Sequence, residues 1–139
     1  MNFKKESLFK QFSAEAIVDE KGSLIIMEAH NNIPIEIKRV YFMTPNDQQT
    51  PRGFHAHKEL RQYALCISGN CSLLFDNGFN KERYFLDNRR TAIEIKPLVW
   101  HEIHDFSSDC ILAVFADDVY RESDYIRDYD EFIRVVKQS

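Results

Sequence analysis

Arg52-Gly53-Phe54-His55-Ala56-His57 follows Pro51 and reads as a β-strand with two histidines one residue apart. Side chains alternate across a strand, so His55 and His57 project from the same face, about 7 Å apart. Arg52 falls on the other parity, but it stands where the chain enters the strand and has room to turn inward. Two histidines aimed into one space make a metal site, an acid/base pair, or a coincidence of surface residues.

Outward from this stretch the chain keeps one rhythm. Downstream, QYALCIS (62–68), the tight turn Gly69-Asn70 and CSLLFD (71–76) carry a strong hairpin signal. Asn77-Gly78 turns the chain again before RYFL (83–86), TAIEIK (91–96), residues 98–103 and CILAVFA (110–116). Upstream, a short strand is expected around Ala16-Ile17-Val18, then a turn at 19–22. Further strands are expected over 23–29 and 35–42. Short strands divided by turn residues, with no repeat and no linker, predict one all-β domain over residues 1–139, a sandwich or barrel. Only the tail departs. From Asp124 onward, Tyr125, Ile126, Tyr129, Phe132, Ile133 and Val136 recur at helical spacing, with Ser123 as candidate N-cap. This spacing predicts an α-helix over 123–137.

The net charge of −4 leaves no basic excess to neutralise phosphates, which argues against a general nucleic-acid binder. No apolar run reaches membrane-spanning length, and the N-terminus lacks the apolar core of a signal peptide. Cys66, Cys71 and Cys110 are odd in number and lack CxxC spacing. They read as buried free thiols in a reducing compartment, the cytoplasm.

Three further features can join the double-histidine strand. Gln62 opens the next strand. In Pro97-Leu98-Val99-Trp100-His101-Glu102-Ile103-His104, the two histidines are three apart and fall on opposite faces of a strand. His101, beside Trp100, is the one expected inward, and His104 is left to the rim. Tyr41, with Lys38 and Arg39 just before it, is the last.

Gly53-Phe54-His55-Ala56-His57, Gln62 and Gly69 resemble the first motif of the cupin superfamily, and Pro97 to His101 resembles the second. RGFHAHKELRQ (52–62), PLVWHEIHDFSSDC (97–110) and SDYIRDYDEF (123–132) together resemble the sugar 3,4-ketoisomerases. That resemblance implies a small cupin jelly-roll β-barrel with a C-terminal α-helix. It implies movement of the keto group of dTDP-4-keto-6-deoxyglucose from carbon 4 to carbon 3 through an enediol, ahead of 3-amino-sugar synthesis for a cell-surface glycan.

By the same resemblance His57 is the base at carbon 3, His55 a second acid/base group, and Tyr41 a group that holds or polarises the sugar oxygens. Arg52 binds the diphosphate, while His101 and Gln62 line the substrate site. A histidine at 101 resembles the branch with a galacto-configured product. His55, His57, Gln62 and His101 stand at cupin ligand positions, but glutamine replaces the usual glutamate and the ketoisomerase pattern implies no metal and no cofactor. It also implies a homodimer in which the N-terminal segment 1–21 is exchanged. Two other readings carry distinct expectations: a metal-dependent cupin such as a dioxygenase, and a non-catalytic sugar-nucleotide-binding cupin.

Overall fold

The computed structural model describes residues 7–138. The first six residues of the segment expected to exchange between subunits therefore lie outside the described residues.

Among the described residues, twelve strands run in chain order. β1 (Gln11–Ser13), β2 (Glu15–Asp19), β3 (Gly22–Ile26) and β4 (Arg39–Met43) lead to β5 (Arg52–His57) and β6 (Gln62–Ser68). β7 (Cys71–Asp76), β8 (Lys81–Leu86), β9 (Thr91–Ile95), β10 (Trp100–His104) and β11 (Ile111–Ala116) follow. β12 (Tyr125–Ile126) and the helix α1 (Tyr129–Lys137) close the described chain. The strands form two five-stranded sheets, in the orders β1-β9-β6-β11-β4 and β12-β5-β10-β7-β8, with a separate β2–β3 hairpin. The pairings within these sheets are antiparallel, as in a jelly roll.

The sequence explains which strands are covered on both faces. QYALCIS and CILAVFA are near-continuous apolar runs, and each strand indeed buries both faces. Ala64 and Cys66 of β6 join Leu112 and Val114 of β11 in the core between the sheets. Tyr63, Leu65 and Ala113 point the other way, onto Ile33 and Ile35. The strand expected over 35–42 is accordingly shorter. Pro34 has no N–H for a ladder, and residues 33–37 lie across the outer face of the first sheet as a cover, leaving only Arg39–Met43 to pair with β11. The strand expected over 23–29 also stops early, at Ile26, where the Asn32 amide donates to the Ile26 carbonyl and its oxygen accepts from the Glu28 N–H.

Gly69-Asn70 makes a tight turn, but not the expected hairpin. β6 pairs with β9 and β11, whereas β7 pairs with β8 and β10, so the chain crosses between sheets there. The turn is fastened to the loop before β11: Asn70 N–H donates to Ser107 Oγ at 2.9 Å, and Ser107 N–H donates to the Asn70 carbonyl at 2.9 Å. A Cβ on Gly69 would stand 2.8 Å from Cys110 Cα, so no larger residue fits.

The tail differs in the way that matters most for the site. The helix begins at Tyr129 rather than at 123, and its N-cap is Asp128, whose side chain accepts from the Asp130 N–H, rather than Ser123. Ser123 sits in a 3-10 turn, and Tyr125–Ile126 pair with His57 and Ala56 of β5. Sheet pairing prevails over helical propensity here because Asp124 is already committed to β5. Its carbonyl accepts from Lys58 N–H, and its carboxylate accepts from Glu59 N–H. The helix then buries Phe132 and Val136 against Ala56, Trp100 and Ile126.

Candidate active site

His55 and His101 are direct partners on the β5–β10 ladder. One step further the register slips, because Glu102 pairs with Gly53 and leaves Phe54 as the extra residue of a bulge. Gly53 has φ +90° and Phe54 φ +61°. A Cβ on Gly53 would lie 2.9 Å from the His101 carbonyl oxygen, so glycine alone permits this approach of the two strands. The bulge also breaks the alternation along β5. Arg52, on the opposite parity from His55, lines the same cavity as His55, while Phe54 turns out to the rim against the ring of His104. His104 points away from the cavity and pairs with Glu102 at 2.8 Å.

His55, His57 and His101 converge. Ring centroids are 4.5 Å apart for His55 and His101, 4.9 Å for His55 and His57, and 6.0 Å for His57 and His101. Their hydrogen bonds fix two of the tautomers. His55 Nδ1 lies 3.1 Å from the Gly53 carbonyl, which can only accept, so Nδ1 carries the hydrogen and Nε2 keeps a free lone pair. His57 Nδ1 lies 3.1 Å from Asp124 Oδ2, which imposes the same tautomer on the neutral ring. The carboxylate is itself held by the backbone N–H of Glu59 at 2.8 Å.

Burial sets the protonation. His57 is pushed down to about 4, first by burial and then by neighbouring His55, with Asp124 opposing but not prevailing. His55 is lowered chiefly by burial. His101 is driven well below the usual histidine range by burial and then by the other two rings. The backbone at Val99 slightly favours its charged form, although no hydrogen bond of ordinary geometry reaches its Nδ1. All three imidazoles are therefore neutral at pH 7, the form a general base requires.

Tyr41 and Gln62 come from the opposite sheet. Tyr41 O–H donates to Gln62 Oε1 at 2.6 Å, and burial raises the phenol far above its ordinary value, so it stays protonated. Gln62 supports Tyr41 from behind and does not reach the cavity lining, while its Nε2 is buried without a partner. The cavity itself, about 220 Å³, lies between the sheets. Tyr41, Arg52, His55, His101, Tyr125 and Arg127 supply its polar and aromatic walls.

One ring nitrogen from each of His55, His57 and His101 lies within 4.8 Å of the others, so the cupin ligand positions do gather in space. The donor set is nevertheless three neutral imidazoles, with Gln62 turned to Tyr41 where the cupin motif has a charged glutamate. It does not match the carboxylate-containing cupin metal set.

Three residues escaped the sequence reading. Asp124 orients His57; Tyr125 packs its ring 4.4 Å from His57 and 4.9 Å from His55; Arg127 stacks over Tyr125 at 4.1 Å. A carboxylate, a phenol and an arginine spaced within SDYIRDYDEF were the available signal, hidden beneath the apolar periodicity that predicted a helix there.

Two antiparallel sheets closed over a histidine-lined cavity define a cupin-type protein. The chain belongs to the family described as FdtA: WxcM-like, C-terminal, which matches residues 7–137. It is 44% identical over 127 residues to the TDP-4-oxo-6-deoxy-alpha-D-glucose-3,4-oxoisomerase of Aneurinibacillus thermoaerophilus, covering 91% of each chain. A 3,4-ketoisomerase from Helicobacter canadensis superposes with a TM-score of 0.91 at 39% identity, over 95% of this chain and 99% of that one. A histidine-to-asparagine variant of the ketoisomerase QdtA from Thermoanaerobacterium thermosaccharolyticum, in complex with TDP-4-keto-6-deoxyglucose, gives a TM-score of 0.91 at 35% identity, over 94% of each chain. The rmlC epimerase of Mycobacterium tuberculosis is alike in fold alone, at 13% identity and a TM-score of 0.74, over 90% of this chain and 72% of that one.

Proposed function

We propose that the protein is a sugar-nucleotide 3,4-ketoisomerase acting on dTDP-4-keto-6-deoxyglucose, with His55 as the base at carbon 3. The observation that carries this is the tautomer of His55: a neutral ring in the cavity wall, with Nδ1–H spent on the Gly53 carbonyl and Nε2 free to take a proton. The family resemblance gave that task to His57. His57, however, is 2% exposed and absent from the cavity lining, so it is the second acid/base group, behind His55.

The chemistry balances without an oxidant. His55 Nε2 takes the hydrogen of carbon 3 as a proton, and the C–H electrons form the carbon 3–carbon 4 double bond while oxygen 4 takes a proton and becomes a hydroxyl. The enediol then releases the proton of oxygen 3, which replaces the one given to oxygen 4, as that carbonyl forms, and carbon 4 gains a proton in place of the one taken from carbon 3. Neutral Tyr41 holds a sugar oxygen. Arg52, which makes no ion pair among the described residues, binds the diphosphate with its planar donor fork. His101, across from His55, influences the face on which carbon 4 is protonated, and the product is galacto-configured. In that product the hydrogen removed from carbon 3 and the one added to carbon 4 lie on the same face of the ring, as a single base allows.

The functional unit is a homodimer built by exchange of the N-terminal segment. Among the described residues the β2–β3 hairpin pairs only with itself, and it leaves Ile17, Val18 and Leu24 exposed. Three buried free thiols fit a cytoplasmic enzyme, and among the described residues no helix is long and apolar enough to cross a membrane.

Proton NMR of the protein with dTDP-4-keto-6-deoxyglucose in deuterated water tests the reading. A 3-keto sugar deuterated at carbon 4 is expected; unchanged substrate after prolonged incubation with folded, dTDP-binding protein overturns it.

A further inference from the structure

The crossing at Gly69-Asn70 gathers the three cysteines. Cys66 lies near the end of β6, Cys71 opens β7, and Cys110 stands just before β11. Cys66 Sγ is 3.8 Å from Cys71 Sγ and 3.9 Å from Cys110 Sγ, and all three sulfurs lie within 4.8 Å of one another. None forms a disulfide. In zinc centres, sulfurs about 2.3 Å from a shared ion stand about 3.8 Å apart at a tetrahedral angle, so this spacing admits one thiophilic atom between them. The cluster is remote from the histidine cavity. Cys71 is four residues along β7 from Phe75, the ladder partner of His101, which is about 13 Å of strand. Its surroundings are apolar, with Leu73, Phe106 and Leu112 in the same core cluster. On the outer side Cys66 borders a surface hollow of about 320 Å³, between Gly69 and residues 87–90, which gives a small uncharged solute a short way in.

We propose that Cys66, Cys71 and Cys110 form a three-thiol site for trivalent arsenic, taken up as the neutral hydroxide, arsenous acid. The site is separate from the isomerase reading and stands without it. Charge decides the class of ligand. Three thiolates around a divalent ion keep one net negative charge, and around copper(I) they keep two. Burying such a charge in an apolar core is costly. The thiols also hold their protons: Cys66 is raised first by its hydrogen bond with Cys71 and then by burial, and Cys110 is pushed up to about 12, chiefly by burial. Arsenous acid avoids both costs. Three As–O bonds break and three As–S bonds form, and each thiol hydrogen leaves with an arsenic hydroxyl as water. Arsenic stays trivalent, no electron is transferred, and the bound centre is neutral. Because Cys66 and Cys71 belong to different sheets, the centre also staples the two sheets at the crossing. Binding to the folded chain therefore raises its stability.

The test incubates the reduced full chain, freed of thiol reductant, with sodium arsenite. Native mass spectrometry is expected to show one arsenic gained and three hydrogens lost per chain. Arsenic X-ray absorption should report three sulfurs and no oxygen around the atom, and Tm should rise with arsenite concentration. Cys110→Ala should lose both the three-sulfur signature and the rise in Tm. Failure of wild-type protein to retain arsenic overturns the site, as does a centre with fewer than three sulfurs. A fall in Tm also overturns it, because arsenite would then be capturing the thiols of the unfolded chain. Equal uptake with equal stabilisation by Cys110→Ala has the same force. Should that variant fail to fold, the wild-type absorption spectrum and Tm decide the question by themselves.

Discussion

His55 and His101 face one another as partners on adjacent strands, and their rings meet almost at right angles with centroids 4.5 Å apart. The two rings pack edge to face, yet only His55 has a ring nitrogen at hydrogen-bond distance from a backbone carbonyl. The two substitutions should therefore separate. His55→Asn should lower kcat by about 10³-fold, in the range for loss of a general base, with dTDP affinity retained. His101→Asn should keep measurable turnover and shift the product from galacto towards gluco configuration, read by NMR after amination.

Stability should fall on the acid side. An unfolded histidine titrates near 6.5, whereas His57 in the fold titrates at about 4 and His55 and His101 are also lowered. Between those values the unfolded chain binds protons that the folded chain refuses, so stability is fully present above pH 6.5 and is lost as pH falls towards 4. The His57 contribution is at most about 3 kcal/mol. Urea midpoints at pH 7.5 and 4.5 should show the drop, and His57→Asn should reduce it; equal midpoints would contradict the neutral-histidine assignment.

Gly53→Ala should cost about 1–3 kcal/mol, because it puts a side chain at φ +90° and presses it on the His101 carbonyl. Activity should fall further than stability, since the bulge places Arg52 and His55 together. Denaturant unfolding alongside kcat/KM distinguishes this from a neutral substitution, which would leave both intact.

Chelation should leave turnover unchanged, because His55 acts here through a free lone pair. Loss of activity on dialysis against a chelator, with recovery on adding a divalent ion, would instead establish a metallo-cupin.

Val18→Lys, at a position 72% exposed on the β2–β3 hairpin, should convert the proposed dimer to monomer in sedimentation velocity. A wild-type protein already monomeric at micromolar concentration would remove the exchanged-segment reading.

The strands were legible because turn residues and apolar runs are local signals. The double histidine and His101 were legible because a period of two places them. What failed was whatever depends on distant partners. The segment 35–37 has strand-like residues but covers a sheet instead, since Pro34 has no N–H for a ladder and Tyr63 and Leu65 give it an apolar seat. Asp124 was unreadable as the partner of His57 because 67 residues separate them and its neighbours repeat at helical spacing. The side occupied by Arg52 depended on a bulge set by contact between Gly53 and the His101 backbone, which no pattern within β5 encodes.

The docking of β12 on β5 has a consequence for how the chain is made. A ribosome delivers His57 long before Asp124, and in that interval β5 is an open strand edge with a histidine lacking its hydrogen-bond acceptor. The barrel can begin to close, but no nascent chain short of the last turn and strand holds a competent site. Proteolytic clipping between β11 and β12 should accordingly silence the enzyme while sparing most of its sheet structure.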